Sequence, residues 1–253
     1  MIKINNVTKQ FDASRKVLDS VSAQFESGKT NLIIGQSGSG KTVLLKSLVG
    51  LHEINEGEIF YDDVCYSKLT EKEKKDIRTK VGMIFQGGAL FDSLTVEENV
   101  RFPLDIFTEL SLAEKTEKAQ ACLERVNLSH ARDLYPAEIS GGMVKRTSIA
   151  RAIVNNPRYL FCDEPNSGLD PKTSIVIDDL IKEITIEYNI TTIINTHDMN
   201  SVMQIGDKVV FIHQGKKWWE GNKDSILHSD NQELNEFVFA SEMAKLAKKS
   251  MNR

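Results

Sequence analysis

The 253-residue sequence is short of several things, and each shortage removes a class of protein. Cysteine is scarce. Cys65, Cys122 and Cys162 are odd in number, scattered and without metal-ligand spacing, so neither a disulfide framework nor a zinc site organises the chain. Such a set suits a reducing compartment, and Cys162, inside an apolar run, reads as a small core residue. Positive charge is not in excess. Lys and Arg number 32 against 36 Asp and Glu, a net charge of −4, which gives no electrostatic case for nucleic acid as a partner. No apolar run approaches the roughly 18 residues that cross a bilayer. Met1-Ile2-Lys3-Ile4 opens no signal-peptide core. Internal repeats and low-complexity tracts are absent as well. What is left is a soluble chain, or one held at a membrane by a partner, long enough to bury a core without staples.

What the sequence does contain is Gly35-Gln36-Ser37-Gly38-Ser39-Gly40-Lys41-Thr42, which fits G-x-x-x-x-G-K-[ST]. Leu32-Ile33-Ile34 before it reads as a buried strand, and Val43-Leu44-Leu45-Lys46-Ser47-Leu48 after it as a helix. The motif needs that setting. Its glycines let the backbone curl until several N–H groups face one point, and the positive end of the helix dipole faces the same point. Lys41 then reaches the β- and γ-phosphates of a nucleotide and Thr42 offers a hydroxyl to Mg²⁺.

The rest of the chain alternates in α/β fashion around a helical stretch. Residues 2–11 and 17–25 read as strands of a hairpin-like sheet, 57–63 as a strand ending in a turn, 70–80 as a charged helix and 81–85 as a short strand. Thr95-Val96-Glu97-Glu98 and Ser111-Leu112-Ala113-Glu114 are capping-box patterns. The second opens a helix with Ala119, Cys122, Leu123 and Val126 on one face, and a third helix spans about 141–154. Residues 159–162 are a strand. Asp170-Pro171 begins a helix whose apolar face holds Val176, Ile177, Leu180, Ile181 and Ile184. A strand at 191–195 and a hairpin at 208–213 and 216–220 follow. Residues 232–248 read as one last helix, apolar at Leu234, Phe237, Val238, Met243 and Leu246.

Two further stretches carry chemistry. The strand Tyr159-Leu160-Phe161-Cys162 ends in Asp163-Glu164. At the C-terminal end of a parallel strand, one acid can hold the metal of a nucleotide and the other can polarise water. Alone this pair is weak; with the glycine-rich loop upstream it gains weight. Ser140-Gly141-Gly142 opens the third helix of the insertion and forms either a second anion site or an ordinary N-cap with a tight turn.

In this order and spacing the stretches resemble the nucleotide-binding domain of ABC transporters, over residues 2 to about 226. The resemblance implies an α/β fold: a P-loop NTPase (RecA-like) core with an antiparallel β subdomain and an inserted α-helical subdomain. It places the ABC-type domain at 1–229, the helical subdomain at about 95–154, and a C-terminal helical extension at 230–253. It also implies an ATPase using ATP and Mg²⁺. Residues 35–42 match Walker A, and Phe11 falls where the family stacks an aromatic on adenine. Gln86 matches the Q-loop, Ile139 to Met143 the signature, Asp163 and Glu164 Walker B with its catalytic glutamate, residues 167–170 the D-loop, and His197 the switch histidine. The implied roles are catalysis by Glu164, His197 and Gln86, and metal binding by Thr42, Gln86 and Asp163. ATP binding falls to Phe11, Gly35, Gln36, Ser37, Gly38, Ser39, Gly40, Lys41 and Thr42. Ser140, Gly141, Gly142, Met143 and Asp170 would reach the ATP of a second copy. Met143 stands where Gln is usual and Phe11 where Tyr is, and neither removes a group that the chemistry requires.

Residues 85–100 with Pro103-Leu104, and a signature carrying Met143 followed by Lys145-Arg146, look most like the Mla/MCE-type phospholipid transport ATPases. The ABC family implies a head-to-tail dimer driving an integral-membrane permease; the finer resemblance implies a peripheral place on the cytoplasmic face of a bacterial inner membrane, with an MCE-domain lipid-binding protein and a small STAS-type protein as further partners. ABC importer or exporter ATPases for amino acids or lipoproteins share much of the same pattern. Soluble ABC proteins usually carry two cassettes, a coiled-coil insertion or zinc cysteines. A guanine-reading Asn-Lys-x-Asp is approached by Asn222-Lys223-Asp224-Ser225, with the acid one position early.

Overall fold

The computed structural model describes residues 1–12 and 15–240. The chain divides into two compact units. Of the described residues, one unit holds Met1–Glu26, Thr30–Lys68 and 195–240; the other holds Ser27–Lys29 and Leu69–Ile194.

The first unit opens with strands β1 (Ile2–Gln10) and β2 (Lys16–Phe25), followed by β3 (Thr30–Ile34), helix α1 (Lys41–Val49), β4 (Glu56–Tyr61) and β5 (Val64–Cys65). The order β2-β1-β4-β5 makes an antiparallel sheet. Its alternation is the cause: Ile2, Ile4 and Val7 of β1, and Leu18, Val21, Ala23 and Phe25 of β2, turn to one buried side. The hydroxyl of Tyr61 donates to the Leu48 carbonyl at 2.7 Å and ties this sheet to α1.

The second unit contains α2 (Glu71–Arg78), β6 (Val81–Ile84), α3 (Val96–Phe107), α4 (Leu112–Arg125), α5 (Gly141–Ile153), β7 (Tyr159–Asp163) and α6 (Pro171–Glu187). Both expected capping boxes are present, at Thr95 with Glu98 and at Ser111 with Glu114. Helices α3, α4 and α5 pack on one another, and α5 also lies on β6. The segment from β6 to α3 has no regular structure, so its backbone needs other partners. Buried Asn99 supplies several: its carboxamide accepts from the Phe91 N–H and donates to the carbonyls of Phe91, Leu94 and Thr95.

Strand β8 (Thr191–Thr196) runs from the second unit into the first, which then adds α7 (Met199–Ile205), β9 (Lys208–His213), β10 (Lys216–Gly221), α8 (Lys223–Leu227) and α9 (Gln232–Val238). Within the units, the order is β10-β9-β3 in the first and β8-β7-β6 in the second. The pairs β3–β9 and β6–β7 are parallel. The hairpin β9–β10 turns at Gln214 (φ 48°) and Gly215 (φ 77°), both left-handed as a tight hairpin turn requires. Among the described residues no helix is long and apolar enough to cross a membrane.

Two sequence expectations need correction. On α6 the buried stripe is Ile177, Leu180, Ile181 and Ile184, whereas Val176 is 56% exposed. It sits one residue, about 100° of helical rotation, from Ile177 and falls off that stripe. The last helix does not run unbroken from 232 to 248: α9 stops at Val238, and Phe239 caps it with its N–H on the Asn235 carbonyl. Leu234 and Val238 are buried as expected, while Met243 and Leu246 lie outside the described residues. Helices α7 and α8 carry no signal that periodicity alone detects, being 7 and 5 residues long. Asn222 is the N-cap of α8, accepting from the N–H groups of Asp224 and Ser225, so the near-match to a guanine-reading motif is a helix start.

Candidate functional site

In the first unit, β3 is buried at all five positions and delivers the chain into the glycine-rich loop. Gly40, at φ 108°, takes the N-cap position of α1 with no side-chain cap, leaving the first N–H groups of the helix to the loop's mouth. Gly35 has φ 150°, and a Cβ there would stand 2.2 Å from the Ile212 carbonyl oxygen, so only glycine fits. The hairpin turn braces the loop from behind. The Gly215 N–H donates to the Ser39 carbonyl at 3.0 Å, and the Gly215 carbonyl accepts from the Asp19 N–H at 2.9 Å. Gln36, Ser37 and Gly38 are exposed at the rim.

Lys41 is buried, and its ammonium donates to the carbonyls of Gly35 at 2.8 Å and Gln36 at 2.9 Å. The charge is thereby held inside the curl of the loop. Thr42 stands next to it, its hydroxyl accepting from the Asn195 carboxamide at 3.2 Å. The Ser39 hydroxyl is buried without a hydrogen-bond partner, an unmet donor of the sort a bound anion satisfies. A curl of amides, a buried ammonium and an unmet hydroxyl fit a nucleotide's phosphates.

Phe11 is 58% exposed. His52 meets its ring edge-on at 5.2 Å between centroids, and the Lys9 ammonium lies 4.9 Å from the ring centroid. Burial, the largest cause, with the Lys46 and Lys9 charges, holds the His52 imidazole below its usual pKa. His197 is exposed just beyond β8, and the next residue, Asp198, caps α7.

In the second unit the register of two strands explains the cluster at their ends. β6 and β7 run parallel with Ile84 opposite Cys162. Two residues further along each chain come Gln86 and Glu164, and they meet: the Gln86 amide donates to Glu164 Oε2 at 3.0 Å and to the Ser167 hydroxyl at 3.4 Å. Glu164 has φ 47°, left-handed for a non-glycine residue, the kind of strain that concentrates at functional positions. Asp163, the last residue of β7, is buried. Lys145 of α5 donates to the Gln86 carbonyl. Burial lowers the Lys145 pKa, and the charges of Glu164 and Asp163 act in the opposite direction.

Ser140 caps α5, accepting from the Met143 N–H at 3.3 Å, and Gly141 and Ser140 are exposed. A Cβ on Gly142 would stand 2.9 Å from a Thr173 methyl. Asp170 caps α6 through the N–H groups of Lys172 and Thr173. Its bond from the Thr173 hydroxyl, first among the causes, holds the carboxyl below its usual pKa.

The structure thus joins Gln86, Glu164, Ser167 and Lys145 in one unit, and the phosphate loop with Asn195 in the other. Lys145, Asn195 and Gly215 were not singled out from sequence for these contacts. Only long-range strand and helix placement brings them in. Among the described residues no group of three or more His, Cys, Asp or Glu side chains can hold a metal by itself.

Residues 18–167 match the family model for the ABC transporter. The chain is 41% identical to the methionine import ATP-binding protein MetN of Haemophilus influenzae, over 94% of this chain and 70% of that protein. It is 35% identical to the probable ribonucleotide transport ATP-binding protein mkl of Mycobacterium bovis, over 94% of this chain and 66% of that one. A bacterial ABC transporter cassette solved as a dimer superposes with a TM-score of 0.81 at 33% identity, covering 88% of this chain and 99% of its own. An ATP-binding cassette solved as a dimer with ADP and Pi in a post-hydrolysis state also has a TM-score of 0.81, at 32% identity. These relatives do not single out the phospholipid branch that residues 85–104 suggest. The loop, the paired acids and the relatives agree at the broader level: this chain belongs to the ABC transporter ATP-binding family, as an ATPase subunit that works on ATP with Mg²⁺.

Proposed function

We propose that this chain powers an ABC importer as a pair of copies closing head to tail beneath a membrane permease. The observation that carries the importer reading is the 41% identity, across 94% of the chain, with an ATPase named for methionine import. The pairing is supported by the dimeric state of the solved relatives. Each copy would be peripheral to the cytoplasmic face of the inner membrane, with residues 95–154 as its helical subdomain and 230–253 as an extension.

Bound ATP would supply the anhydride bond to be broken and the negative charge that offsets two facing helix N-termini, and Mg²⁺ would bridge and polarise its phosphate oxygens. The chain's residues then have distinct tasks. Lys41 and the loop amides hold the phosphates, and Phe11 carries the base. Thr42, Gln86 and Asp163 would hold the metal, which would neutralise charge on the phosphates. Glu164 accepts the proton of the attacking water, Gln86 orients that carboxylate, and His197 steadies the terminal phosphate. Ser140, Gly141, Gly142, Met143 and Asp170 of the other copy complete the far side.

A second reading for the cargo, phospholipid moved between envelope membranes with MCE-domain and STAS-type partners, is favoured by residues 85–100, Pro103-Leu104, Met143 and Lys145-Arg146. The test is to purify the chain with the permease it binds in its own cell and reconstitute both in proteoliposomes. ATP-dependent uptake of labelled methionine supports the importer. ATP-dependent movement of a labelled phospholipid, with no methionine uptake, moves the assignment to the second reading.

A further inference from the structure

The loop that carries Gln86 is fastened to α5 by three side chains on successive turns. Lys145 donates to the Gln86 carbonyl. Ser148 donates to the Gly88 carbonyl at 3.0 Å. Arg151 forks onto two carbonyls, Gly88 at 2.7 Å and Ala89 at 2.6 Å. All three side chains are buried. The loop is shaped for this grip. Gly88 and Ala89 both have positive φ, 80° and 48°, which turns successive carbonyls toward one helix. A Cβ on Gly88 would stand 2.7 Å from a Val144 methyl, so the approach is as close as glycine allows.

The same helix begins at Ser140, the proposed contact to the partner copy's nucleotide. The same loop carries Gln86, whose side chain holds Glu164, and continues into the rim of an apolar groove lined in part by Phe85, Ala89, Phe91 and Arg151. We propose that Lys145, Ser148 and Arg151 are positioning residues that lock the loop of residues 86–89 to α5, so that the signature helix, Gln86 and the groove rim move as one part. The inference rests on the ATPase reading for its functional meaning and on the hydrogen bonds above for the lock itself. The Arg151 guanidinium spans the Gly88 and Ala89 carbonyls as one rigid planar fork, whereas a lysine there brings a single ammonium whose bonds have no fixed mutual geometry.

Hydrogen–deuterium exchange on the full chain tests this. Peptides covering 86–92, 141–153 and 35–42 are followed without nucleotide and with Mg²⁺ and a non-hydrolysable ATP analogue. In the wild type, 86–92 and 141–153 gain protection together. In Ser148→Ala/Arg151→Gln, residues 86–92 exchange at least about tenfold faster without nucleotide, as expected for three lost hydrogen bonds, one of them neutral, and gain no protection with the analogue, while 35–42 and 141–153 still do. Arg151→Lys, with Ser148 intact, accelerates exchange at 86–92 as Arg151→Gln alone does. Unchanged exchange at 86–92 in the double variant, or full rescue by Lys, overturns the lock. If the double variant does not fold, Ser148→Ala alone reads the same peptide at about fivefold, and no acceleration there overturns the proposal equally. Failure of the wild type to protect 35–42 speaks against the nucleotide reading instead, and the nucleotide-free comparison still decides the lock.

Discussion

Gln86 and Glu164 are 78 positions apart in sequence, yet the amide of one donates to the carboxylate of the other at 3.0 Å. The contact follows from strand register. Ile84 and Cys162 pair across parallel strands, and each chain runs two residues further. A carboxylate held in place by a neighbouring amide keeps a fixed orientation, which is what a general base needs.

Glu164→Gln is therefore expected to bind ATP with little change and to lose on the order of 10²–10⁴-fold in turnover, the usual worth of a general base. The replacement keeps an acceptor for the Gln86 amide, so the strand ends should hold their geometry. Phosphate release and fluorescent-nucleotide titration on the same preparation separate chemistry from binding. Full turnover in the variant removes Glu164 from its role.

Lys41→Ala is expected to act on binding. The buried ammonium already sits within the loop, on the Gly35 and Gln36 carbonyls. Its charge-assisted bonds to phosphate oxygens should be worth about 1.5–3 kcal/mol, or roughly 10–100-fold in ATP affinity. Titration calorimetry with Mg·ATP measures this directly. An unchanged dissociation constant undercuts the phosphate-loop assignment.

Much of this was legible because the signals are local. The glycine-rich loop, the capping boxes at Thr95 and Ser111, the Asp170-Pro171 helix start and the apolar strand ending at Asp163 each declare themselves within a few residues, and the structure has each element in place. What the sequence did not disclose is non-local. The Asn195 amide on Thr42 spans 153 positions, and the Lys145 ammonium on the Gln86 carbonyl spans 59. Val176 was misplaced because a helical stripe has edges, and one residue's step moves a side chain across them. The end of α9 at Val238 is not marked by a glycine or proline in the sequence, and the contact of Phe237 with Phe211, 5.6 Å between ring centroids, is one that no local pattern encodes.

The Asp170 cap should leave its mark on acid stability. Its carboxyl is held below the ordinary aspartate value by the Thr173 hydroxyl and the helix N–H groups. A depressed carboxylate pKa adds stability that is fully present above the unfolded-state value of about 3.9 and is lost as pH falls through the lower folded value. Asparagine also caps helices but does not titrate in this range. Asp170→Asn should thus sit below the wild type in urea midpoint at pH 7, with the two midpoints converging toward pH 3. A constant gap across that range would mean that the titration of Asp170 is not linked to folding.

The groove beside the Gln86 loop offers a last measurement. It encloses about 570 Å³ and is mainly apolar, with Phe91, Ile106 and Phe107 exposed along it. Phe91 and Phe102 pack with their rings tilted, 4.6 Å between centroids, and Asn99 holds the loop beyond Phe91 in shape, so the surface is formed before any partner arrives. An exposed apolar groove on a preformed frame suits a short helix of a permease laying its own apolar side into it. Asp92 and Ser93 are exposed at the rim. Asp92→Cys and Ser93→Cys, each combined with a short bifunctional reagent in the assembled complex, should give an adduct with the permease whose yield changes between nucleotide-free and ATP-loaded states. Absence of any adduct in the assembled complex would count against this groove as the docking site.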